Sequence, residues 1–313
     1  MRRVLSALLL ALAANAAFAQ TVTRIIVPFA AGGVQDILAR AISSELGTAI
    51  GGTVIVENRT GAGGTIGTAL VAKSPPDGHT LVLAAASHTI NGSLHAKLPY
   101  DPIRDFTGVA HIGTVEYVLM INPRIPAKTV KEFVAYAKAN PGKLNYSTAG
   151  LGTATHLSMA YFASLAGIDM VHIPFKGTNE AVNEVLAGRA DAVIAANIGA
   201  LPYFLDPRIR MLGVTSAKHS KFLPELPPIA EGVPGYEFDS WLGLLGPAGI
   251  PRATVDQLNL AVAALLREPV ILERLAKQGI EPQALSPEAF DALLRADFDK
   301  MARVVKASGA RVE

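Results

Sequence analysis

The sequence predicts an α/β protein made of two parallel-sheet units around a shared cleft. Three observations carry this. Short β-branched runs alternate with amphipathic helical patterns, two strand-to-helix junctions turn on glycines, and two proline-rich stretches read as crossings between units. Alternation of this kind marks mostly parallel sheets covered by helices on both faces.

The first residues stand outside that fold. Arg2 and Arg3 form a short basic region, residues 4–14 are apolar but too short to span a bilayer, and Ala17-Phe18-Ala19 is an A-x-A cleavage signal. Residues 1–19 are therefore expected to be a signal peptide cleaved after Ala19. The Arg2-Arg3 pair permits a twin-arginine route. Met1 and Val4 flank it where polar and aromatic residues belong, which favours the general secretory route. No Cys follows to carry a lipid, and no later apolar run is long enough to span a membrane. The expectation is a soluble, exported protein.

Strands are predicted at 24–27, 53–57, 80–84, 108–112, 117–121, 170–172, 192–195, 210–214 and 240–245, where β-branched and apolar residues cluster between turn residues. Helices are predicted at 34–46, 65–72, 129–139, 154–166 and 179–186. The last third changes character. Helices at 251–267, 269–278 and 287–306 each have a Pro at or before the first turn. The final one is amphipathic through Phe290, Leu293, Leu294, Phe298 and Val305, as expected of a helix packed across the outside of a domain. The crossings are read at 122–126 and 223–235. They divide the chain into a discontinuous first domain, 20–122 with 231–313, and a second domain, 123–230. A cleft between two such domains is a common place for a small ligand.

Composition removes several classes of function. Without Arg2 and Arg3 the chain carries 26 basic and 26 acidic residues, so it has no basic surface for nucleic acid or anionic lipid. It has no cysteine, so neither disulfides nor a Cys-based zinc site contributes. The seven histidines form no H-x-H or H-E-x-x-H pattern, and no metal is expected. A G-x-S-x-G nucleophile elbow, a Ser-x-x-Lys pair and a close carboxylate pair are all missing, so nothing argues for an enzyme. The run Gly61-Ala62-Gly63-Gly64-Thr65-Ile66-Gly67 fails the dinucleotide spacing at Ile66, and no cofactor is expected.

The most informative stretch is Val27-Pro28-Phe29-Ala30-Ala31-Gly32-Gly33-Val34-Gln35-Asp36. A strand ends, the chain turns on two glycines, and a helix begins. Glycines let the backbone approach a ligand. The first helical turn offers unpaired N–H groups at the positive pole of the dipole, a cradle for a carboxylate or phosphate. Asp36 in that first turn complements the dipole and caps N–H groups, or touches the ligand directly. Ser147-Thr148-Ala149-Gly150-Leu151-Gly152-Thr153-Ala154-Thr155-His156 repeats the arrangement in the second domain, with Thr153 as N-cap. Together the two loops make a two-sided anion clamp. His156 reads as a hydrogen-bonded structural residue, and His172 as core.

These pieces resemble the receptors of tripartite tricarboxylate transporters, the Bug family. The resemblance runs over nearly the whole mature chain. It is carried by the Phe29–Asp36 loop, Val56-Glu57-Asn58-Arg59 with Gly61-Ala62-Gly63-Gly64, and Pro76-Asp77-Gly78-His79-Thr80-Leu81. It continues through Pro99-Tyr100-Asp101-Pro102 with Asp105-Phe106, Ala149-Gly150-Leu151-Gly152-Thr153 with His156, and His172-Ile173-Pro174-Phe175-Lys176-Gly177. Late pieces are Ser240-Trp241, Gly243 and Gly246-Pro247-Ala248. The resemblance implies a type II periplasmic binding protein fold that closes on a small organic acid. It implies ligand contacts from Phe29, Ala31, Gly32, Gly33, Asp36, Thr148, Gly150, Gly152, Thr153 and His156, and places Ser87-His88-Thr89 beside the cleft.

One departure is informative. Many members of the family carry an acid after the strand at 192, where this chain has Ala195. A buried ammonium needs a carboxylate partner, so Ala195 disfavours an amino acid and favours a dicarboxylate or aromatic acid. The expected protein is a monomer that delivers its ligand to large and small integral transporter subunits. A sensor subunit for a membrane kinase and a secreted enzyme acting on a small acid are the alternatives. Bulky replacement at Gly33 or Gly152 is expected to abolish ligand binding while leaving the fold intact. Calorimetric titration beside circular dichroism checks this, and normal affinity in Gly33→Leu would refute the site.

Overall fold

A computed structural model describes residues 22–95 and 97–308. The expected signal peptide at 1–19 lies outside the described residues. Two sheets organise the chain. The first holds β1 (Val22–Val27), β2 (Thr53–Asn58), β3 (Thr80–Ala85), β4 (Phe106–Val115), β10 (Ser240–Pro247) and β11 (Ile280–Pro282), in the order β11-β4-β10-β3-β1-β2. The second holds β5 (Tyr117–Ile121), β6 (Leu144–Thr148), β7 (Met170–Pro174), β8 (Ala192–Ala196) and β9 (Arg210–Val214), in the order β7-β6-β8-β5-β9.

Apart from β11, the two orders are the same. In each sheet the first strand of a βαβ series, β1 or β6, lies between its second and third strands and runs parallel to both. One antiparallel strand then separates the third strand from the fourth: β10 between β3 and β4, and β5 between β8 and β9. That inserted strand is in each case the one by which the chain arrives from the other sheet.

Helices follow the strands in matching positions. In the first lobe they are α1 (Val34–Ile50), α2 (Thr65–Ala72) and α3 (Ser87–Leu94). In the second lobe α4 (Val130–Ala139) precedes β6, and α5 (Ala154–Ala166), α6 (Thr178–Leu186) and α7 (Asn197–Ala200) follow β6, β7 and β8. The chain ends in α8 (Arg252–Leu265), α9 (Pro269–Ala276) and α10 (Pro287–Ser308). Among the described residues no helix is long and apolar enough to cross a membrane.

Strand alternation sorts side chains to opposite faces. In β1, Ile25 and Val27 enter one apolar cluster with Leu38 and Ile42 of α1, while Ile26 enters another. This second cluster does not stop at the lobe boundary. It runs from Ile26 and Val82 through Phe290, Met301 and Trp241 to Phe162, Phe133 and Leu119. The helix α10 joins the two ends, packing on α3 and β4 in one lobe and on α5 in the other. Its Phe290, Leu294 and Val305 are buried, as the amphipathic pattern predicts. It therefore spans both lobes and does not merely cover one domain. Asp297 on α10 accepts from Trp241 Nε1 at 2.8 Å and from Thr89 Oγ1 at 2.5 Å.

The chain changes sheets elsewhere than the prolines indicate. Strand β5 belongs to the second sheet, so the outward crossing is at Glu116, not after 122. Asn122-Pro123 forms a turn at the far end of β5, where Asn122 Nδ2 donates to Val185 O at 2.7 Å. The return crossing lies between β9 and β10, and the prolines at 223–235 fall inside it. Thr215 ties the two crossings together. Its N–H donates to Tyr117 O and its hydroxyl accepts from Tyr117 N (2.9 and 2.7 Å). The same hydroxyl donates to Asp239 Oδ1 (3.2 Å), and Thr215 O accepts from Phe238 N (3.1 Å).

Asp239 is thus a buried acid at the joint. Burial raises its pKa to about 7; the Thr215 bond and Lys300 oppose this, and the nearby Glu116 and Glu237 add to it. The folded pKa lies above the unfolded one, so between the two values the folded state holds more protons. Stability is then highest at low pH within that window and is lost as pH rises toward 7. Asp239→Asn keeps an acceptor for Thr215 without the buried charge. It should melt higher than the wild type at pH 8, and the difference should shrink toward pH 5 in thermal denaturation.

Candidate functional site

In open α/β sheets ligands bind beyond the carboxyl ends of strands, where successive connections diverge. The first strands β1 and β6 satisfy that condition, and both hand over to a helix through one of the glycine loops. Between β1 and α1, Phe29 and Gly33 are half-buried, while Ala31 and Gly32 are exposed. Gly32 adopts φ +83, which a side chain would strain. Gly33 is the N-cap of α1 and supplies no side-chain cap, so the leading N–H groups keep their polarity for another acceptor.

Asp36 shapes this loop from inside the helix. Its Oδ2 accepts from Gly32 N at 2.9 Å. Its Oδ1 accepts from Arg40 Nε at 3.0 Å and from Asn58 Nδ2 at 2.9 Å, and Asn58 Nδ2 also donates to Phe29 O at 3.0 Å. Burial raises the Asp36 carboxyl, but the bonds from Arg40, Gly32 and Asn58 outweigh it and hold it below its usual value. Both oxygens accept hydrogen bonds from the protein, and through them Asp36 holds the loop. The Gly61–Gly64 run supports the loop from behind, because a Cβ at Gly64 would lie 3.2 Å from Phe29 Cζ.

The second loop repeats this construction. Thr153 is the N-cap of α5, and its hydroxyl accepts from His156 N. Gly152 N donates to His156 Nδ1 at 3.2 Å, the counterpart of Gly32 and Asp36. Thr148 Oγ1 accepts from Gly150 N at 3.2 Å and shares a 2.6 Å bond with His172 Nε2. Gly150 and Gly152 have φ of +118 and +75. His156 stacks on His172 with ring centroids 4.2 Å apart, and His172 stacks on Tyr146 at 5.1 Å. Burial first, then the neighbouring His172, push the His156 imidazolium down to about 4. His172 is half-buried in the edge strand β7, not in the core as its apolar surroundings indicate.

A Cβ added to Gly152 would overlap Leu94 at the end of α3, so first-lobe side chains reach the second loop. Gly33 differs, since its φ of −76 admits a side chain and the nearest atom to an added Cβ is Ala30 O at 3.4 Å. Bulk at Gly33 leaves the backbone unstrained, whereas bulk at Gly152 costs about 1–3 kcal/mol in backbone strain as well.

Two predicted site residues lie elsewhere. His88 is not beside the cleft. It is the second residue of α3, fully buried, with Nε2 on Pro102 O at 2.7 Å and its ring against Tyr100, Phe106 and Trp241. Burial pushes it to about 4, with the Pro102 bond opposing. The Ser87-His88-Thr89 segment is helical, and only Ser87 is half-exposed. Ala195 is fully buried among Val118, Val182 and Val193, because strand alternation turns it away from the cleft. The half-buried Ala196 is the residue at that strand end which leaves this cluster. The argument from Ala195 against an ammonium ligand therefore loses its structural footing.

Sequence reading passed over two contributors. Asn58, read only as part of a motif, holds the first loop. Asn197, opening α7, donates to Gly279 O at 2.9 Å and so ties the second lobe to β11. An open concavity of about 820 Å³ lies between the end of α3, residues 98–104 and α10. It includes neither glycine loop, and the paired geometry of the loops is the stronger guide to the site.

Comparison with known proteins identifies the family. The tripartite tricarboxylate transporter family receptor profile matches residues 38–310. The chain belongs to that family. The receptor is 35% identical to the UPF0065 protein in the tcbD-tcbE intergenic region of Pseudomonas sp. strain P51, over 97% of this chain and 93% of that one. Among solved structures it is similar to R. palustris Rpa4515 with adipate, at 33% identity, TM-score 0.81, and 93% and 98% coverage of the two chains. It is similar to the periplasmic binding protein BugD, at 32%, 0.78, and 93% and 99%. It is similar also to MatC from Rhodopseudomonas palustris with bound malate, at 30%, 0.76, and 91% and 98%. The two-lobed receptor has the periplasmic binding protein fold, and its family consists of binding proteins.

The bonds to Asp36 make a direct prediction. Asp36→Ala frees the Gly32 N–H, Arg40 and Asn58 together and should lower stability by about 2 kcal/mol in denaturant unfolding. Asp36→Asn keeps an acceptor and should lose less.

Proposed function

We propose that this protein captures a small dicarboxylate between its lobes in the periplasm and presents it to the integral subunits of a tripartite tricarboxylate transporter. One carboxylate is held by the N–H groups of the two opposed glycine loops, at Phe29–Gly33 and Thr148–Thr153. Ser87 lies at the start of the third helix of the same lobe edge. The observation that carries this reading is the equivalence of the two loops. Each leaves the end of a first strand, turns on at least one glycine in the left-handed region, and opens a helix, the kind of terminus that holds an anion. Nothing in the site supplies a nucleophile or a free acid–base pair. Asp36 is occupied by three donors and His156 by Gly152. The site is therefore suited to holding an acid and not to converting it.

The related Rpa4515 with adipate and MatC with malate support a dicarboxylate as the ligand class. The receptor acts as a monomer, with the two lobes, parted at Glu116 and at the return segment before β10, closing about Thr215. A thermal-shift screen tests the proposal, because a ligand that binds only the folded state raises its melting temperature by mass action. Adipate, malate or another dicarboxylate should raise it by several degrees, and phosphate and nucleotides should not. No shift with any carboxylate would refute the reading. Gly152→Leu should remove the shift, since its side chain would overlap Leu94 and displace the second loop.

A further inference from the structure

Four helices in this protein begin with the same device. The N–H of the residue before the N-cap donates to the side chain of the third helical residue. The pairs are Gly32–Asp36 (2.9 Å), Lys128–Glu132 (2.6 Å), Gly152–His156 (3.2 Å) and Lys176–Glu180 (3.1 Å). The device is a relative of the capping box, in which an acidic third residue reaches back to a free N–H. An acid there also complements the helix dipole.

Only the pairs at Gly32 and Gly152 belong to the cleft loops. Lys128 and Lys176 are exposed, and four residues beyond their acids stand Tyr136 and Glu184. Four residues beyond Asp36 stands Arg40, bonded to it at 3.0 Å. Four residues beyond His156 stands Ala160, which carries no charge. His156 needs none. An Nδ1 that accepts from Gly152 N–H carries no proton, so the imidazole is neutral with its proton on Nε2. The groups facing it are His172 and Tyr146, both stacked rings.

We infer that His156 is a specificity-determining, positioning residue: a neutral cap that fixes the second glycine loop while leaving the positive pole of α5 free for an anionic ligand. Asp36 with Arg40 achieves the same neutrality in the first lobe with an ion pair. A carboxylate at 156 would satisfy Gly152 equally well and repel the ligand at once. This inference rests on the proposed carboxylate function and explains how the second loop favours an anion.

Asn and Asp at position 156 separate the two roles. They have the same size and both offer an oxygen where His offers Nδ1, but only Asp adds charge. With adipate and malate as probes in calorimetric titration, His156→Asp should bind at least about tenfold more weakly than His156→Asn, because a like charge within a few ångström costs that much or more at a partly buried site. Both variants should melt at similar temperatures without ligand. The N-cap gives a second pair: Thr153→Asp should bind at least about tenfold more weakly than Thr153→Asn, as both side chains cap well and only Asp adds charge. This second pair decides the matter if position 156 does not tolerate replacement. Equal affinity of the Asp and Asn variants overturns the inference, as does an Asn variant as weak as the Asp one. If the wild type binds none of the acids, the carboxylate function itself fails, and the inference falls with it.

Discussion

A backbone N–H that precedes a helix has to find an acceptor, and in this protein that requirement decides how the cleft is built. Gly32 and Gly152 each lie one residue before an N-cap, where a turn has taken their N–H groups out of any ladder. Each is satisfied by a side chain four residues on, reaching back from the first helical turn. This holds both glycines in the left-handed conformation. In the first loop no N-cap side chain competes for the leading N–H groups, whereas in the second the Thr153 hydroxyl takes that of His156. The rest of the site follows: Asn58 and Arg40 brace Asp36, and His172 and Tyr146 brace His156.

The lobes carrying these loops are joined more thoroughly than two bare linkers would allow. One apolar cluster crosses from Ile26 to Phe133, and α10 lies along it. Thr215 serves both crossings with its backbone and hydroxyl, and Asn197 bonds across to Gly279. The Trp241–Asp297 bond fixes the C-terminal helix on β10 beside this junction.

Much of this was legible in the sequence, and what was not has a physical reason. Nine of the strands stand where β-branched runs predict them, because burial on both faces demands such runs. The central strand β6, Leu144–Thr148, is polar by composition and reads only as a short extended piece before the loop. Its Tyr146 and Thr148 are nonetheless buried by neighbouring strands, a tertiary effect that no local pattern carries. Helix α3 is hidden for a related reason, since Ser87, Thr89, Asn91 and Ser93 favour turns, and Thr89 is held by Asp297 from far along the chain. The crossing at Glu116 has no punctuation, because β4 and β5 are separated by one residue. Prolines mark where a chain turns, and here the chain passes between sheets without turning. Glycine loops and their capping residues were readable because their conformational demand is local. Ala195 and His88 were misplaced because the face a residue presents depends on where its strand or helix packs.

The exchange of one strand between the lobes also orders their assembly. The second lobe's sheet is drawn from one continuous stretch, 117–214, and can pair all its strands once that stretch is present. The first lobe cannot. Strands β3 and β4 never touch each other directly, and β10, which must lie between them, arrives more than a hundred residues after β4 ends. Such long-range pairing is slow. A chain emerging from its N-terminus therefore keeps its first lobe open until nearly its whole length is available. For a protein of a periplasmic family, that delay leaves strands β1 to β4 without their complete sheet until β10 has emerged.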